Sequence, residues 1–412
     1  MSSHSKEYSA RPEIVLKFKE NIGLSNSRMS DSKKKLAPSK SRAEMASDSL
    51  EIRRPKLADV AQAAGVAINT ASMVLNDRPN CWASEATRTR VLNEAKRLGY
   101  RPNRIALAVK KQRFDTIGLI VPDLNNPFFM SLADQLEIES KARGCDLIIE
   151  HSRVDLLREI QCMESIMDRQ VDCIIACLID PSVHAKLLKS HLKYGIPMVV
   201  AGKRGPRPLP VDLVTVDFEG GLGQALSHLR RAGHSRVGFI RALAENQADN
   251  GREEIFLKVA RNLGFDEKDL YVEPSDHTMA GAKEAFHRLI DNKKGKRPTA
   301  VIGLNDLCGI GALRGAHDAG LQVPHDLSIV GVDNIALCSL LNPSLTSIAQ
   351  PIDEISQHAV AMLFDRMEAK AKHGPREKVL SSKLVLREST GPAPKYLKPL
   401  GVSLSEQAAG TK

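Results

Sequence analysis

The sequence predicts an α/β protein in which a small helix-turn-helix unit precedes two doubly wound subdomains. Residues 57–99 contain three short helical patterns with a glycine turn between the first two. From Thr116 onward, short apolar runs alternate with amphipathic helices, which is typical of parallel sheets covered on both faces. The excess positive charge lies in the first quarter of the chain, before this alternation begins.

The composition of the 412-residue chain is that of a globular protein, with 42% hydrophobic and 26% charged residues. No apolar run reaches the about 18–20 residues of a membrane span, and the N-terminus lacks the apolar segment of a secretory signal. We therefore expect a cytoplasmic protein. Seven irregularly spaced cysteines favour free thiols over disulfides. Cys173 and Cys177 are predicted to be buried thiols, and we expect neither a metal nor a cofactor.

The net charge of +10 is unevenly distributed. Residues 1–56 contain 13 Lys or Arg against 7 Asp or Glu, and residues 57–113 contain 10 against 4. A basic head on a nearly neutral body is the pattern of a polyanion-binding protein. Residues 1–54 are rich in Ser and Lys without periodicity, which predicts a basic, disordered extension. Met29 or Met45 could also be the true start.

Residues 55–101 carry the pattern of three helices. Apolar residues recur at i, i+3, i+4 and i+7 from Leu57 until Gly65 ends the first helix. The second helix covers about 68–76, and the third begins after the N-cap Ser84 and contains the apolar residues Val91 and Leu92. Small residues are predicted to let the first two helices cross tightly, namely Ala61, Ala63, Ala64, Gly65 and Ala71.

The second helix is nearly uncharged, although its surroundings are basic. A recognition helix must approach base edges in the major groove, and phosphates are held by cations around it. The second helix is therefore predicted to contact bases. The predicted phosphate clamp consists of Arg78, Arg88, Arg90, Lys96, Arg97, Arg101 and Arg104.

Residues 114–389 are predicted to contain ten buried strands. They cover residues 117–123, 146–151, 173–178, 198–202, 213–218, 237–242, 270–274, 300–305, 327–333 and 383–389. Ten strands exceed one compact sheet, and ligands of doubly wound sheets bind at the carboxyl ends of the strands, here between the two halves. The glycines of residues 309–315 are predicted to serve close helix packing and not a phosphate loop. The tail, 390–412, contains prolines and no heptad.

Several segments resemble one family. LADVAQAAGVAINTASMVLN (57–76) and TRTRVLNEAKRLGYRPNRIALAV (87–109) look like the headpiece and hinge of the lac-repressor family of bacterial transcription regulators. IGLIVPDLNNPFF, RRAGHSRVGFI, GLND, GVDN and NPSLTSIAQP are similar to its effector-domain signatures. The resemblance runs from Leu57 to Glu388. It implies an N-terminal helix-turn-helix headpiece joined by a hinge helix (102–113) to a two-subdomain, doubly wound, periplasmic-binding-protein-like effector domain.

The resemblance also implies a function. Family members are cytoplasmic homodimers that bind double-stranded, pseudo-palindromic operator DNA and are switched by a small molecule, often a sugar. The implied protein is a regulator, most often a repressor, with no membrane partner.

The resemblance places the DNA contacts at particular residues. Ile68, Asn69 and Ser72 fall where the family contacts base edges, and Thr70 falls where it meets the DNA backbone. The further expected contacts are Asn76, Arg88, Asn103, Arg104, Ala106 and Val109, the last four on the hinge helix. Four positions depart from the family pattern. Lys56 and Ala67 stand where the family has capping residues, and each loses about 1 kcal/mol of capping. Met73 stands where an arginine is expected, which removes a possible phosphate or base contact, and Val109 is shorter than the usual leucine, which predicts a weaker kink of the DNA. A headpiece weakened in this way could also have lost DNA binding.

The effector residues are expected at strand ends. Asp333 and Asn305 are predicted to bind vicinal hydroxyls, whereas Asp306 and Asn334 are equally natural as helix N-caps. Asn126 and Phe128 follow the first strand, where Phe128 could line the pocket or simply belong to the core. The family often has an arginine that grips the ligand. The chain has Asn250 there, with Arg252 two residues later, which predicts an uncharged effector or one held differently.

Two other classes of function remain open from the residues alone. One is a periplasmic-type small-molecule binding protein without a DNA role, and the other is a sugar-processing enzyme. The missing signal peptide and the basic head argue against the first. No Ser/His/Asp or metal constellation occurs at motif spacing, so we expect the protein not to be an enzyme.

Overall fold

The computed structural model describes residues 54–78, 80–102, 108, 111, 113–181, 184, 188–189, 192–204, 208–242, 251–276, 278–291, 297–368 and 374–397. The chain divides into two compact units, Met1–Arg101 and Pro102–Lys412. Within the described ranges, none of the helices has the length and apolar character needed to cross a membrane.

The described residues of the first unit form three helices: α1 Leu57–Ala63, α2 Ile68–Leu75 and α3 Glu85–Arg97. They enclose a small core of Val60, Ala61, Ala64, Ala71, Val74, Val91 and Ala95. The predicted three-helix arrangement is therefore confirmed. Two residues predicted to let the helices cross tightly are wrong, because Ala63 faces solvent and a Cβ atom on Gly65 would meet nothing within 4 Å.

The N-terminal ends of the three helices differ in how they are capped. Ser84 Oγ accepts a hydrogen bond from Thr87 N–H at 3.3 Å, as predicted for the start of α3. Among the described residues, no side-chain oxygen caps α1 or α2 at Lys56 or Ala67. Lys56 N–H instead donates to the Asp59 carboxylate at 2.7 Å. One half of a capping box thus remains at α1.

The second unit contains two six-stranded sheets. Lobe 1 has the strand order β11-β5-β4-β3-β1-β2, and lobe 2 has the order β12-β10-β9-β8-β6-β7. The strands are β1 Thr116–Val121, β2 Asp146–His151, β3 Cys173–Ala176, β4 Met198–Ala201, β5 Asp212–Asp217, β6 Val237–Ala242, β7 Leu270–Ser275, β8 Ala300–Gly303, β9 Ser328–Asp333, β10 Thr346–Ala349, β11 Glu377–Ser381 and β12 Lys383–Val385. The β10–β12 pair is antiparallel, and the other pairs are parallel.

Helices cover both faces of the sheets, which confirms the doubly wound prediction. They are α4 Pro127–Lys141, α5 Leu156–Asp168, α6 Phe218–Arg231, α7 Arg252–Asn262, α8 Met279–Ile290, α9 Asp306–Asp318 and α10 Ile352–Met367. In lobe 1, α4 and α10 pack on one face of the sheet, and Met163 and Ile166 of α5 pack on the other. The apolar runs of the sequence are therefore buried from two sides.

The chain passes between the lobes three times. It leaves lobe 1 after β5 and enters lobe 2 through α6, returns after β10 through α10, and crosses again between β11 and β12. These crossings place Asp217, Gln350 and Ser382 beside one another at the facing edges of the lobes, where all three line one cleft.

The strand prediction missed β10 and β11. β10 is only four residues long, and β11 is an edge strand in which Leu380 alone is buried and the other side chains are exposed or half-buried. The predicted strand at 383–389 is also too long, since β12 ends at Val385.

The glycines of residues 309–315 lie inside α9, and two of them, Gly311 and Gly315, pack against α8, as predicted, whereas Gly309 approaches Leu345 and Gly331. A Cβ atom on Gly311 would lie 2.4 Å from the carbonyl oxygen of Met279, and one on Gly315 would lie 2.7 Å from the Phe286 ring. These glycines therefore allow the close approach of two helices.

The seven cysteines, all within the described residues, are free thiols. Cys173 and Cys177 are buried, as predicted. Burial raises the pKa of Cys177 to about 12 and raises that of Cys173. Both are therefore unreactive, protonated side chains near neutral pH.

Candidate functional site

The helix α2 presents a polar, accessible surface at its N-terminal end. Ile68 is 55% exposed and Asn69 is also exposed, while Thr70 and Ser72 are half-buried. Ala71 and Val74 point into the core. The residues of α2 predicted to contact DNA thus lie on the solvent side of an amphipathic helix, where the major groove of DNA can reach them.

Two other predicted DNA residues are held by contacts within the headpiece. Asn76 Nδ2 donates to the carbonyl oxygen of Ser72 at 2.7 Å. Arg88 Nη1 forms an ion pair with Asp77 at 3.0 Å, and the Asp77 side chain is almost fully exposed. Such an exposed pair is weak, so a phosphate could replace Asp77 as the partner of Arg88.

The predicted phosphate clamp needs one correction. Arg90 Nε donates to the carbonyl oxygen of Ala64 at 2.8 Å. It therefore satisfies a carbonyl at the C-terminal end of α1 and belongs to the fold of the headpiece. Spacing alone could not distinguish this cation from its neighbours. The hinge predictions, Asn103, Arg104, Ala106 and Val109, lie outside the described residues.

The loop between α2 and α3 displays the single tryptophan of the chain. Trp82 is 94% exposed, whereas its neighbours Cys81 and Ala83 pack against the headpiece core. The anchored neighbours direct the indole ring toward solvent. Trp82 is therefore a fluorescent reporter on the headpiece surface.

A cleft of about 380 Å³ lies between the two lobes of the second unit. Its walls are the carboxyl ends of β1, β3, β4 and β5 in lobe 1 and of β8, β9 and β10 in lobe 2. Five predicted effector residues line this cleft: Asn126, Phe128, Arg252, Asn305 and Asp333. The sixth, Asn250, lies outside the described residues.

Asp333 sits at the end of β9 in an unusual backbone conformation. Its φ angle is 110°, and that of the next residue, Asn334, is 57°. Non-glycine residues avoid this region, and where they adopt it the strain is of order 1–3 kcal/mol and often marks a functional site. The Asp333 side chain is 6% exposed. The turn therefore holds a buried carboxyl group at the cleft.

Polar groups from both lobes surround Asp333. Gln350 Nε2 donates to Asp333 Oδ1 at 2.5 Å, and the Asn126 side chain from lobe 1 also hydrogen-bonds to the carboxyl group. Burial and repulsion by Asp306 raise the pKa of Asp333, although Arg252 opposes the shift. A carboxyl group with two amide neighbours can bind hydroxyl groups by both donation and acceptance.

Asn305 and Asn126 each cap a helix and also line the cleft. Asn305 Oδ1 accepts a hydrogen bond from Cys308 N–H at 2.9 Å, so Asn305 is the N-cap of α9. Asn126 Oδ1 accepts from Phe128 N–H at 3.0 Å and begins α4. The alternative that Asp306 and Asn334 are helix caps does not hold. Asn305 caps α9 and Asp306 is buried behind the cleft, while Ile335 precedes the short 3-10 helix Ala336–Ser339, which has no side-chain cap.

Aromatic rings and a cation complete the cleft. Phe128 belongs to the core and also lines the cleft, with its ring 5.2 Å from that of Phe129. Both alternatives for Phe128 therefore apply. Arg252 Nη1 donates to the carbonyl oxygen of Leu304 at 3.0 Å, and its guanidinium lies over the Phe218 ring at 4.5 Å. A cation is thus present in the cleft at Arg252, one of the residues predicted for the effector site.

Several cleft residues were missed by the sequence analysis. Gln350 follows a strand that was not predicted, and Phe218 begins the helix that crosses between the lobes. The motif NPSLTSIAQP contained Gln350 and was the available signal. In the described part of the chain, no His, Cys, Asp and Glu side chains form a group of three that could hold a metal ion.

Comparison with known proteins identifies both units. Residues 56–103 match the model of bacterial regulatory proteins of the lacI family, and residues 226–390 match that of a periplasmic binding protein-like domain. The HTH-type transcriptional regulator DegA of Bacillus subtilis is 32% identical over 337 residues, which are 81% of this chain and 97% of DegA. The repressor CytR of Escherichia coli is 31% identical over 345 residues, 82% of this chain and 96% of CytR.

A solved structure shares the fold of the second unit. It is a LacI family transcriptional regulator from Enterococcus faecium with bound ribose, which is 30% identical and aligns with a TM-score of 0.59 over 67% of this chain and 99% of that chain. The matched headpiece argues against a binding protein without a DNA role. The named relatives are transcriptional regulators and not enzymes. The chain belongs to the lacI family of bacterial regulatory proteins and is a transcriptional regulator.

Proposed function

We propose that the protein is a repressor that binds a pseudo-palindromic operator as a homodimer in the cytoplasm and is controlled by a small molecule. One observation carries the proposal: a recognition helix with an exposed polar end and an enclosed cleft with a buried carboxyl group occur in one chain. The relative CytR is itself named a repressor.

The effector that fits the cleft is a sugar-like molecule. Asp333, Asn305 and Arg252 offer hydrogen bonds on the lobe 2 side, and the rings of Phe128 and Phe218 offer apolar surface. Hydroxylated rings have polar edges and apolar faces, so they match such a lining. The bound ribose of the Enterococcus faecium relative is consistent with this chemistry.

Effector and operator are coupled through residues 102–113 in this proposal. A peptide of this length does not form a stable helix alone in water, so the hinge should order when two copies meet on DNA. An effector that changes the angle between the lobes changes the spacing of the hinges. Whatever factor the effector changes operator affinity by, the operator changes effector affinity by the same factor.

Selection of bound DNA from a random pool tests the proposal. The full chain should enrich one pseudo-palindromic sequence, and a neutral sugar from a screened set should change the yield of that sequence. Enrichment of no sequence would contradict operator binding. Turnover of a sugar by the purified protein would instead support the enzyme alternative.

DNA affinity should fall steeply with salt, because each neutralised phosphate contributes about −0.9 to the slope of log affinity against log salt concentration. Removing residues 1–54 should weaken binding and flatten this slope without changing the preferred sequence, since the recognition helix begins at Ile68. Titrations followed by Trp82 fluorescence measure both effects. A truncated protein that prefers a different operator would show that the extension contributes to base recognition.

Assembly should give a dimer, since two headpieces are needed for a palindrome. Apolar residues are accessible on α4 and on the edge strand β2 of lobe 1, where Met130 is 48%, Ile138 51% and Ile149 42% exposed. Light scattering should give twice the chain mass of 45.1 kDa, and Ile149→Lys should produce monomers. A dominant tetramer or a monomeric wild type would contradict this assignment.

A further inference from the structure

Asp306 is a buried carboxyl group directly behind the effector cleft. It is the first residue of α9 and its side chain is 1% exposed. Its Oδ2 accepts a hydrogen bond from Ile335 N–H at 2.8 Å, and its Oδ1 accepts from Ser347 Oγ at 2.6 Å. A buried carboxyl group that is not the helix cap needs another explanation.

These bonds hold the strained turn that presents Asp333. Ser347 Oγ also accepts a hydrogen bond from Asn334 N–H at 3.0 Å, and Arg387 Nη2 donates to Asn334 Oδ1 at 2.6 Å. Residues 333–335 are thus fixed by contacts to α9, to β10 and to the segment after β12. The contacts to α9 and to β10 both end at the carboxyl group of Asp306, directly through Ile335 N–H or by way of Ser347 Oγ.

The backbone of β9 makes room for the Asp306 carboxyl group. A Cβ atom on Gly331 would lie 2.2 Å from Asp306 Oδ1. Only glycine therefore permits this carboxyl group to approach β9, two residues before Asp333 in the chain. The close approach is built into the fold.

We propose that Asp306 is a positioning residue of the effector site: it holds the turn that presents Asp333, and together the two buried carboxyl groups hold one proton near neutral pH. Asp333 then carries the proton and acts as a hydrogen-bond donor toward an uncharged, oxygen-rich effector. This inference rests on the proposed role of the cleft in effector binding.

Other titratable and charged groups face the pair from each neighbouring element. Arg252 of α7 faces Asp333, and Arg387 faces Asp306. Arg387 Nη1 also donates to the carbonyl oxygen of Leu345 at 2.7 Å, so its charge is shared with other acceptors. The remaining titratable neighbours are the thiols of Cys308 and Cys338, both of which burial keeps protonated, and Asp276, which faces Cys308. The other charged residues that line the cleft are Asp123, Lys203, Arg204, Asp217 and Glu219.

The balance of these groups places the proton on Asp333. Burial raises the pKa of both carboxyl groups, and the repulsion by Asp306 raises that of Asp333 further. Hydrogen bonds from Ser347, Ile335 and Cys338 favour the ionised form of Asp306. Two carboxyl groups in one buried site do not both ionise readily.

Thermal unfolding of the ligand-free full chain between pH 5 and pH 8.5 tests the shared proton. A carboxyl group whose pKa is raised in the folded state contributes its full share of folding stability only below its unfolded pKa of about 3.9. This contribution is lost as pH rises toward the pKa of the folded state. Asp333→Asn keeps the neutral shape and removes the loss. Its unfolding midpoint should exceed that of the wild type by about 5 °C at pH 8, and the difference should shrink toward pH 5.

Three further variants complete the experiment. In an Asp306→Asn background, the pH-dependent part of the shift caused by Asp333→Asn should be smaller, because the repelling charge is gone and burial alone still raises the pKa of Asp333. Asp123→Asn, on another cleft-lining aspartate, is the matched control background, in which the pH-dependent effect of Asp333→Asn should keep its full size because Asp306 is unchanged. Ser347→Ala should lower the midpoint, because Asp306 and Asn334 both lose a partner.

The outcomes separate this inference from the proposed function. A constant difference between wild type and Asp333→Asn from pH 5 to pH 8.5 overturns the shared proton, even where Asp306→Asn does not fold. A pH-dependent difference of undiminished size in the Asp306→Asn background overturns the role of Asp306. Calorimetry with D-ribose and other neutral sugars judges the effector role separately, since their failure to bind would contradict only the proposed function.

Discussion

Replacing Asp333 with alanine should abolish the response of DNA binding to the effector while leaving ligand-free binding to the operator within a few-fold of the wild type. The carboxyl group lies in the cleft and receives hydrogen bonds from Gln350 and, across the cleft, from Asn126. Couplings between sites are typically about 1–3 kcal/mol, or 5- to 150-fold in affinity. Fluorescence titration of a labelled operator, with and without effector, measures the loss.

The physical reason is that Asp333 joins groups of both lobes. Asn126 begins α4 in lobe 1, and Gln350 stands at the crossing into α10. An effector that takes over the hydrogen bonds of Asp333 replaces contacts that join the two lobes. It can shift the equilibrium between two lobe arrangements only by the difference between its affinities for them. Without the carboxyl group, this difference is lost.

Asp123→Ala is the matched control for Asp333→Ala. Asp123 lines the same cleft, but it is half-buried and its Oδ1 accepts from Asn125 N–H within its own loop. Its removal should leave effector switching within a few-fold of the wild type. Normal effector binding and normal switching by Asp333→Ala would show that the effector site has been assigned to the wrong residues.

The fold could largely be predicted because its strands are continuous apolar runs. Strands such as Cys173–Ala176 and Ala300–Gly303 are buried on both faces, so their burial is visible in the composition itself. β11 has no such signature, because it pairs with β5 at the sheet edge and keeps exposed side chains. Edge strands depend on a partner far away in the chain, which local patterns do not contain.

The site could be predicted only in part. Asp333 and Asn305 stand at the ends of apolar runs, which made them visible. The partners of Asp306, by contrast, lie 29 and 41 residues away at Ile335 and Ser347. Asp306 follows a strand and stands next to Asn305, so both residues have the local pattern of a helix cap. Only the tertiary structure shows which of the two caps the helix.

The headpiece shows the same limit. Arg90 and Arg101 are both arginines in a basic segment, yet the side chain of Arg90 is bonded to Ala64. Local charge identifies a surface that binds polyanions but does not assign a contact to each cation. The roles of the headpiece residues therefore have to be separated by experiment.

Asn69→Ala should lower affinity for the selected operator by about 10- to 100-fold and relax the preference at one base pair. An asparagine amide can bind an adenine edge through two hydrogen bonds, worth about 1–3 kcal/mol of discrimination, and Asn69 lies exposed on the first turn of α2. Binding to unrelated DNA should stay close to the wild type. Competition titrations with operators altered one position at a time measure the change.

Arg101→Ala is the contrasting variant on the same headpiece. Arg101 is exposed just after α3, and the loss of a phosphate contact weakens binding to all sequences alike. It should therefore reduce the steepness of the salt dependence by about 0.9, with base preference unchanged. Asn69 carries no charge, so its variant should keep the full salt dependence. If Asn69→Ala weakened operator and unrelated DNA equally, α2 would be a backbone-binding element, and bases would be recognised elsewhere on the headpiece.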